Sequence, residues 1–222
     1  MRNNKETIKA WAMFDWSNSA YNLVITSTIF PAYYTIITTT EEFGDKVVFM
    51  GRTFTNTALS NYALSVAYLI MAFLLPVLSS IADFRGNKKI FMKVFTYIGS
   101  ISCAGLFFFK LETLELGIIC FTLAAIGYIG GVMFNNSYLP EIATIDQQDK
   151  VSAKGFAYGY IGSVILQIIC FIFVLKPEFF GITDASLPAR LSFLLVGIWW
   201  IGFAQIPFRK LPAGSPNYDK IT

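Results

Sequence analysis

Not one of the 222 residues is histidine. That absence removes Ser-His and Cys-His dyads, histidine-ligated metals and haem together. Charge is scarce as well, at 14% of residues, against about 25% in an ordinary soluble domain. So few charged groups cannot cover a water-facing surface, and much of the surface must therefore face lipid. Cysteine is nearly missing too. Cys103, Cys120 and Cys170 sit singly inside apolar runs with no CxxC spacing, which reads as packing and leaves the redox compartment open. The net charge of +3 comes without a basic stripe, so nucleic acid is not an expected partner. No residue pattern calls for a cofactor or a metal.

What the chain does have is apolar length. Hydrophobic residues make up 55% and aromatics 17%, with 22 Phe and 11 Tyr. A spanning helix needs roughly 20 mostly apolar residues, and six stretches qualify: 11–37, 61–82, 90–109, 114–134, 155–175 and 187–208. The joints carry turn chemistry, as in Phe84-Arg-Gly-Asn-Lys-Lys, in Lys176-Pro-Glu-Phe-Phe-Gly and in the polar segment that opens at Pro140. Barrel strands would alternate with period two over about ten residues, and these runs are continuous. The expected fold is therefore an all-α polytopic membrane protein with six transmembrane helices. Residues 1–10 form a cytoplasmic N-terminus, 11–208 the bundle and 209–222 a cytoplasmic linker or tail. The basic start (Arg2, Lys5, Lys9) resembles a signal peptide, but no small-residue cleavage site follows, so it reads as a retained first span.

Orientation follows from the positive-inside rule. With the N-terminus inside, the inner segments hold Arg2, Lys5, Lys9, Arg85, Lys88, Lys89, Lys93, Lys150, Lys154, Arg209, Lys210 and Lys220. The outer segments hold only Lys46, Arg52, Lys110, Lys176 and Arg190. Both termini are thus expected in the cytoplasm, with the bacterial inner membrane as the expected location. Lys93, Glu115 and Arg190 fall within about a turn of a span end, where snorkelling is cheap. No buried ion pair is expected.

The first span is the least lipid-like. Asp15, Asn18, Ser19, Asn22 and Thr26 fall at i, i+3, i+4, i+7 and i+11, on one face of a regular helix. Unsatisfied polar groups in hydrocarbon are expensive, so this face should meet protein or a water-filled cavity. It reads as a solute path; the bland alternative is hydrogen-bonded packing between helices. The glycines Gly127, Gly130 and Gly131, and Gly155, Gly159 and Gly162, suit close backbone approach. Pro31 and Pro76 suggest kinks, and Gln167 and Gln205 fit either cavity or packing.

A second cluster straddles the end of the second span: Ser79-Ser-Ile-Ala-Asp83-Phe-Arg-Gly86-Asn-Lys88-Lys89. Gly86 suits the left-handed residue that ends a helix. By itself the cluster reads as a basic loop that sets topology. It also resembles the loop between helices two and three of the major facilitator superfamily, Gly-x-x-x-Asp-Arg-x-Gly-Arg-Arg/Lys-Lys. Asp83, Gly86, Lys88 and Lys89 match, while Ser79, Phe84 and Asn87 depart from the pattern. The opening Phe14-Asp15-Trp16-Ser-Asn18-Ser-Ala20 and the segment Asn135-Asn-Ser-Tyr138-Leu-Pro140-Glu141 are similar to motifs of that superfamily's vacuole-effluxer-like branch.

The resemblance implies the N-terminal six-helix half of a twelve-helix secondary transporter, with amino-acid efflux as the activity of the best-known eukaryotic members. Asp83, Gly86, Lys88 and Lys89 would then govern conformational change. The expected partners are a small-molecule solute, the lipid bilayer and a second six-helix half or a homodimer partner. The competing reading is a membrane-embedded structural or assembly subunit without transport activity. An enzyme is not expected, because the usual general bases are missing.

Overall fold

The computed structural model describes residues 2–213. The chain enters its first helix at a well-formed cap. The side chain of Asn4 accepts from the backbone N–H of Glu6 at 2.9 Å and of Thr7 at 3.1 Å, which satisfies two of the four free donors of a helix start. From there α1 (Lys5–Ala20), a π segment (Tyr21–Thr28) and α2 (Ile29–Thr38) follow without a break. The widened turn has a local cause. Pro31 has no N–H to give the Ser27 carbonyl, and its ring would clash with that carbonyl in a regular helix. The Ser27 and Thr28 hydroxyls instead reach five residues back, each 2.8 Å from the carbonyls of Asn22 and Leu23.

The other helices are α3 (Asn56–Arg85), α4 (Lys88–Gly105), α5 (Leu114–Asn136), the single-turn α6 (Leu139–Ile142), α7 (Ile145–Leu175) and α8 (Leu187–Lys210). Among the described residues five helical stretches, those of α3, α4, α5 with α6, α7 and α8, are long and apolar enough to cross a membrane. The chain is thus an all-α polytopic membrane protein. The stretch expected to be the first of six spans is the interrupted helix 5–38. Its six polar residues from Asp15 to Thr26 (Asp15, Ser17, Asn18, Ser19, Asn22 and Thr26) make it less apolar than the rest.

Alternate connections fall at opposite ends of the bundle. One end joins Asn3 to Ile142 by a backbone bond of 2.7 Å and Lys89 to the Leu211 carbonyl at 2.6 Å. The other end joins Tyr33 to the Phe109 carbonyl at 2.7 Å and Tyr34 to the Asn56 carbonyl at 2.8 Å. α1 packs on α7 and α8, and α4 lies between α5 and α8. Phe30 anchors the core: its ring stacks on Phe121 with centroids 4.0 Å apart and also meets Tyr34, Phe109 and Phe193.

Between the first helix and α3, β1 (Lys46–Phe49) and β2 (Arg52–Thr55) form an antiparallel hairpin turned by Met50 and Gly51, both at positive φ. Several local expectations are revised. The polar segment after Pro140 is mostly helical, because only Ala143 and Thr144 separate α6 from α7. Asp146 and the charged residues after it form the exposed first turns of α7 rather than a joint. Pro76 lies inside α3. Arg190 does not snorkel to water. It is buried, donates from Nε to the Phe107 carbonyl at 2.6 Å, lies over the Phe107 ring and pairs with Asp184 at 3.7 Å. It thereby caps the carbonyl end of the turn after α4. Gln205 bonds back to the Ile201 carbonyl of its own helix at 2.9 Å.

Glycines set the helix spacing. A Cβ on Gly127 would overlap the Gly99 backbone, and one on Gly197 would stand 2.6 Å from the Ser100 carbonyl. Gly202 in α8 faces open space. Gly127→Ala should therefore destabilise the bundle by about 1–3 kcal/mol. Gly202→Ala should instead stabilise it by about 0.5–1 kcal/mol through helix propensity. Thermal unfolding of the two variants in the same detergent checks this, and equal shifts would contradict the packing account.

Candidate functional site

Three helices enclose the one described cavity whose walls mix ionisable, hydroxyl and amide groups. The helix 5–38 contributes Asp15, Ser19, Asn22 and Ser27, α5 contributes Tyr128 and Asn136, and α7 contributes Ser152, Tyr160 and Ser163. Its volume is about 310 Å³. A larger space of about 610 Å³ lies among α2, α7 and α8 towards the opposite end. That one is lined chiefly by Ile29, Ala32, Ile36, Phe171 and Val174. Size alone favours the larger, but binding sites need a few convergent polar groups among apolar walls. The smaller cavity has them.

The polar face of the first helix is split by the structure. Asp15, Ser19 and Asn22 line the cavity, whereas Asn18 and Thr26 do not. Asn18 is 1% exposed, and its amide nitrogen has no hydrogen-bond partner. The Thr26 hydroxyl is likewise buried. Asn18 lies in regular α1, at the edge of the face, and turns into the packing. For Thr26 the cause is the π segment, which advances fewer degrees per residue than an α-helix. A stripe that would run through Thr26 in a regular helix runs through Ser27 instead.

α7 approaches this face through its glycines. A Cβ on Gly155 would stand 2.5 Å from Asp15 Oδ2, and one on Gly159 would stand 2.5 Å from Ser19 Oγ. One on Gly162 would stand 2.8 Å from the Trp16 carbonyl. The same contact contains true interhelical bonding, since Thr28 Oγ1 donates to Gln167 Oε1 at 2.9 Å. Gln167 is therefore packing glue rather than cavity wall. Tyr128, Ser152, Tyr160 and Ser163 carried no sequence signal of their own, and Asn136 showed only as part of the motif segment 135–141. The other four looked like ordinary aromatic or small polar residues of their helices.

The second candidate group lies at the end that holds Asn3 and Leu211. Gly86 takes φ 65° and closes α3 with its N–H on the Ala82 carbonyl, joined by the Asn87 N–H at 3.1 Å. Lys88, largely buried, pairs with Asp83 at 2.9 Å and Glu141 at 2.7 Å. Lys89 does not join the ion cluster; its ammonium bonds the Leu211 carbonyl at the end of α8. The loop after α3 is thus tied to α6 and to α8. Trp11 Nε1 also donates to the Asn135 carbonyl at 2.8 Å, bringing the opening motif against the Asn135–Glu141 segment.

Similarity to known proteins is clear. The chain matches the family described as "Vacuole effluxer Atg22 like" over residues 3–220. An uncharacterized MFS-type transporter of Bacillus subtilis, YxiO, is 34% identical over 202 residues, covering 90% of this chain and 45% of its own length. Autophagy-related protein 22-2 of Aspergillus niger is 23% identical over 221 residues, covering 73% of this chain and 37% of its own. The chain spans less than half the length of these relatives. The family bears the name of an effluxer and the Bacillus relative that of a transporter; neither is named as an enzyme. No solved structure matches.

The split face generates a direct test. With Cys103, Cys120 and Cys170 replaced, Asn22→Cys should react with a small neutral water-soluble thiol reagent. Asn18→Cys should react at least about tenfold more slowly, because burial withholds it from water. Mass spectrometry of labelled protein in nanodiscs reads the difference. Equal rates would mean that Asn18 meets the cavity as openly as Asn22 and that the face is not split.

Proposed function

The chain belongs to the vacuole effluxer Atg22-like family, and from that membership we propose that it forms one six-helix bundle of a twelve-helix secondary transporter. The transporter moves a small polar solute by alternating access, and amino acids are the first class to test. The observation that carries this reading is the polar cavity at Asp15, Ser19 and Asn22, set among apolar helices. A structural subunit would have no use for a carboxylate and amides gathered there. Asn18 and Thr26 act on the path only through packing.

The helix 5–38 serves as the sixth span. At 1.5 Å per residue it is roughly 50 Å long, more than the ~30 Å hydrocarbon core requires. The end that holds Asn3, Lys88, Lys89 and Leu211 faces the cytoplasm of a bacterial cell, since basic residues concentrate there. Residues 1–10 lie on that side, and 11–208 form the bundle. Residues 209–222 begin a linker, of which 214–222 lie outside the described residues. A second bundle, from a longer chain or a second copy, closes the other side of the cavity and rocks against this one.

Asp83, Gly86, Lys88 and Lys89 act in conformational control. Together they tie the α3–α4 turn to α6 and α8, and none of them lines the cavity. In the assembled transporter, Asp83→Asn should slow turnover roughly two- to fivefold, the equivalent of a partly exposed ion pair worth up to about 1 kcal/mol. Equilibrium solute affinity should stay unchanged. A large affinity loss at normal turnover would remove these residues from that role. The unit of function is checked separately by reconstituting the chain at very low protein-to-lipid ratio. It should insert but not transport, and saturable uptake by a verified monomer would overturn the half-transporter reading.

A further inference from the structure

Asp15 is the eleventh residue of a helix that begins at Lys5, and among the described residues its carboxylate has no ion-pair partner and accepts no side-chain hydrogen bond. The ion pairs there involve Asp45, Asp83, Glu141, Glu178 and Asp184, never Asp15. No Lys or Arg lines the cavity. The basic residue nearest its contact on α7 is Lys154, and that ammonium sits over the Tyr158 ring, 5.9 Å from the centroid. One side of the carboxylate is closed by α7 at Gly155. The open side is walled by aromatic and hydroxyl groups: Trp11, Tyr128, Phe156, Tyr160 and Ser19.

A carboxylate at membrane depth needs a partner of opposite charge. Aromatic faces attract cations too. We infer that the group this bundle holds is a positively charged nitrogen of the solute, an ammonium carried on a short apolar body, paired with Asp15. A solute anion would meet only repulsion on this side, so any carboxylate of the solute is held by the second bundle. The cavity of about 310 Å³ within this bundle lies at the small end of ligand sites, which suits the ammonium with a few carbons or one ring on this side. This inference rests on the reading of the cavity as the solute path, and the experiment separates the two.

Asn22→Cys, on the background lacking the native cysteines, is placed in nanodiscs as the full chain. Its reaction rates are measured with 2-(trimethylammonium)ethyl and 2-sulfonatoethyl methanethiosulfonate, each normalised to a free thiol. The neutral methyl reagent serves as the accessibility control. The cationic reagent should react at least about tenfold faster than the anionic one, as expected for a cleft that focuses one sign of charge. Asp15→Asn should bring the ratio close to one. Phenethylammonium should slow labelling, while the neutral isostere 2-phenylethanol should not. A ratio at or below one with Asp15 intact overturns the inference, as does a ratio untouched by Asp15→Asn or equal protection by both probes. A bound proton in place of the ammonium would give that first result. Inertness to all three reagents sinks the cavity reading instead. Ser27→Cys repeats the measurement from a second wall position, and the arms with Asp15 intact decide the matter even if Asp15→Asn fails to fold.

Discussion

Backbone-to-backbone approach at glycine is the constraint on which the rest of this bundle depends. Lipid tails are as apolar as leucine, so helices gain little by hiding apolar side chains from them. Association rests on close packing and polar bonds. Here α4 and α5 touch at Gly99 and Gly127, α4 and α8 at Gly197, and α1 and α7 at Gly155, Gly159 and Gly162. The last contact does more than hold two helices together. It seats Asp15 and Ser19 directly on the backbone of α7, and the cavity opens beside that seam. A Cβ at Gly155 or Gly159 would push the polar face away from its own wall.

The π segment is the second determinant, and it follows from Pro31. A proline that removes one N–H and displaces a carbonyl forces a wider turn, and hydroxyls of Ser27 and Thr28 fill the gaps. The consequence is a change of stripe along the first helix. Above Asn22 the residue that meets the cavity is Ser27, and the neighbouring Thr28 instead reaches α7 through Gln167. Polar residues of one short stretch thus divide between lining and packing. That division is why a choice between cavity and glue was the wrong question for the face as a whole.

What was legible in the sequence depended on whether the signal was local. Apolar length exposed the five long helices, and Gly86 announced a left-handed cap. The ion pair of Asp83 with Lys88 was not read from the sequence, where the cluster showed only as a basic loop and a motif. Asp15 and Ser19 followed from 3.6-residue periodicity because the helix is regular up to Ala20, and Asn22, one residue into the π segment, keeps that register. Asn18 sits at the edge of the same face, where periodicity alone does not separate lining from packing. Thr26 was lost because a π turn has no periodic signature and its cause, Pro31, lies further along the chain. The Met50-Gly51 hairpin lacked the Asn-Gly or Asp-Gly that flags a tight turn. Arg190 looked like a snorkelling residue because its acceptor, the Phe107 carbonyl, is 83 positions away. Tyr128 and Tyr160 entered the site through tertiary placement alone.

α3 has an unusual mechanical position. Only 11% of its most apolar stretch is buried, against 50% for the stretch from Leu111 to Ile142. It touches the bundle along a thin seam that includes Ala63, Ala67 and Met71. Its ends are fixed: Asn56 bonds Thr38 at 3.0 Å and accepts from Tyr34 at 2.8 Å, while Asp83 is held by Lys88. The helix is therefore a beam of 30 residues supported at both ends and barely braced between them. Such a beam carries load through its supports. A sideways push at its middle, from lipid or from a neighbouring bundle, reaches the rest of the protein as torque on Asn56 at one end and on the Gly86 turn at the other.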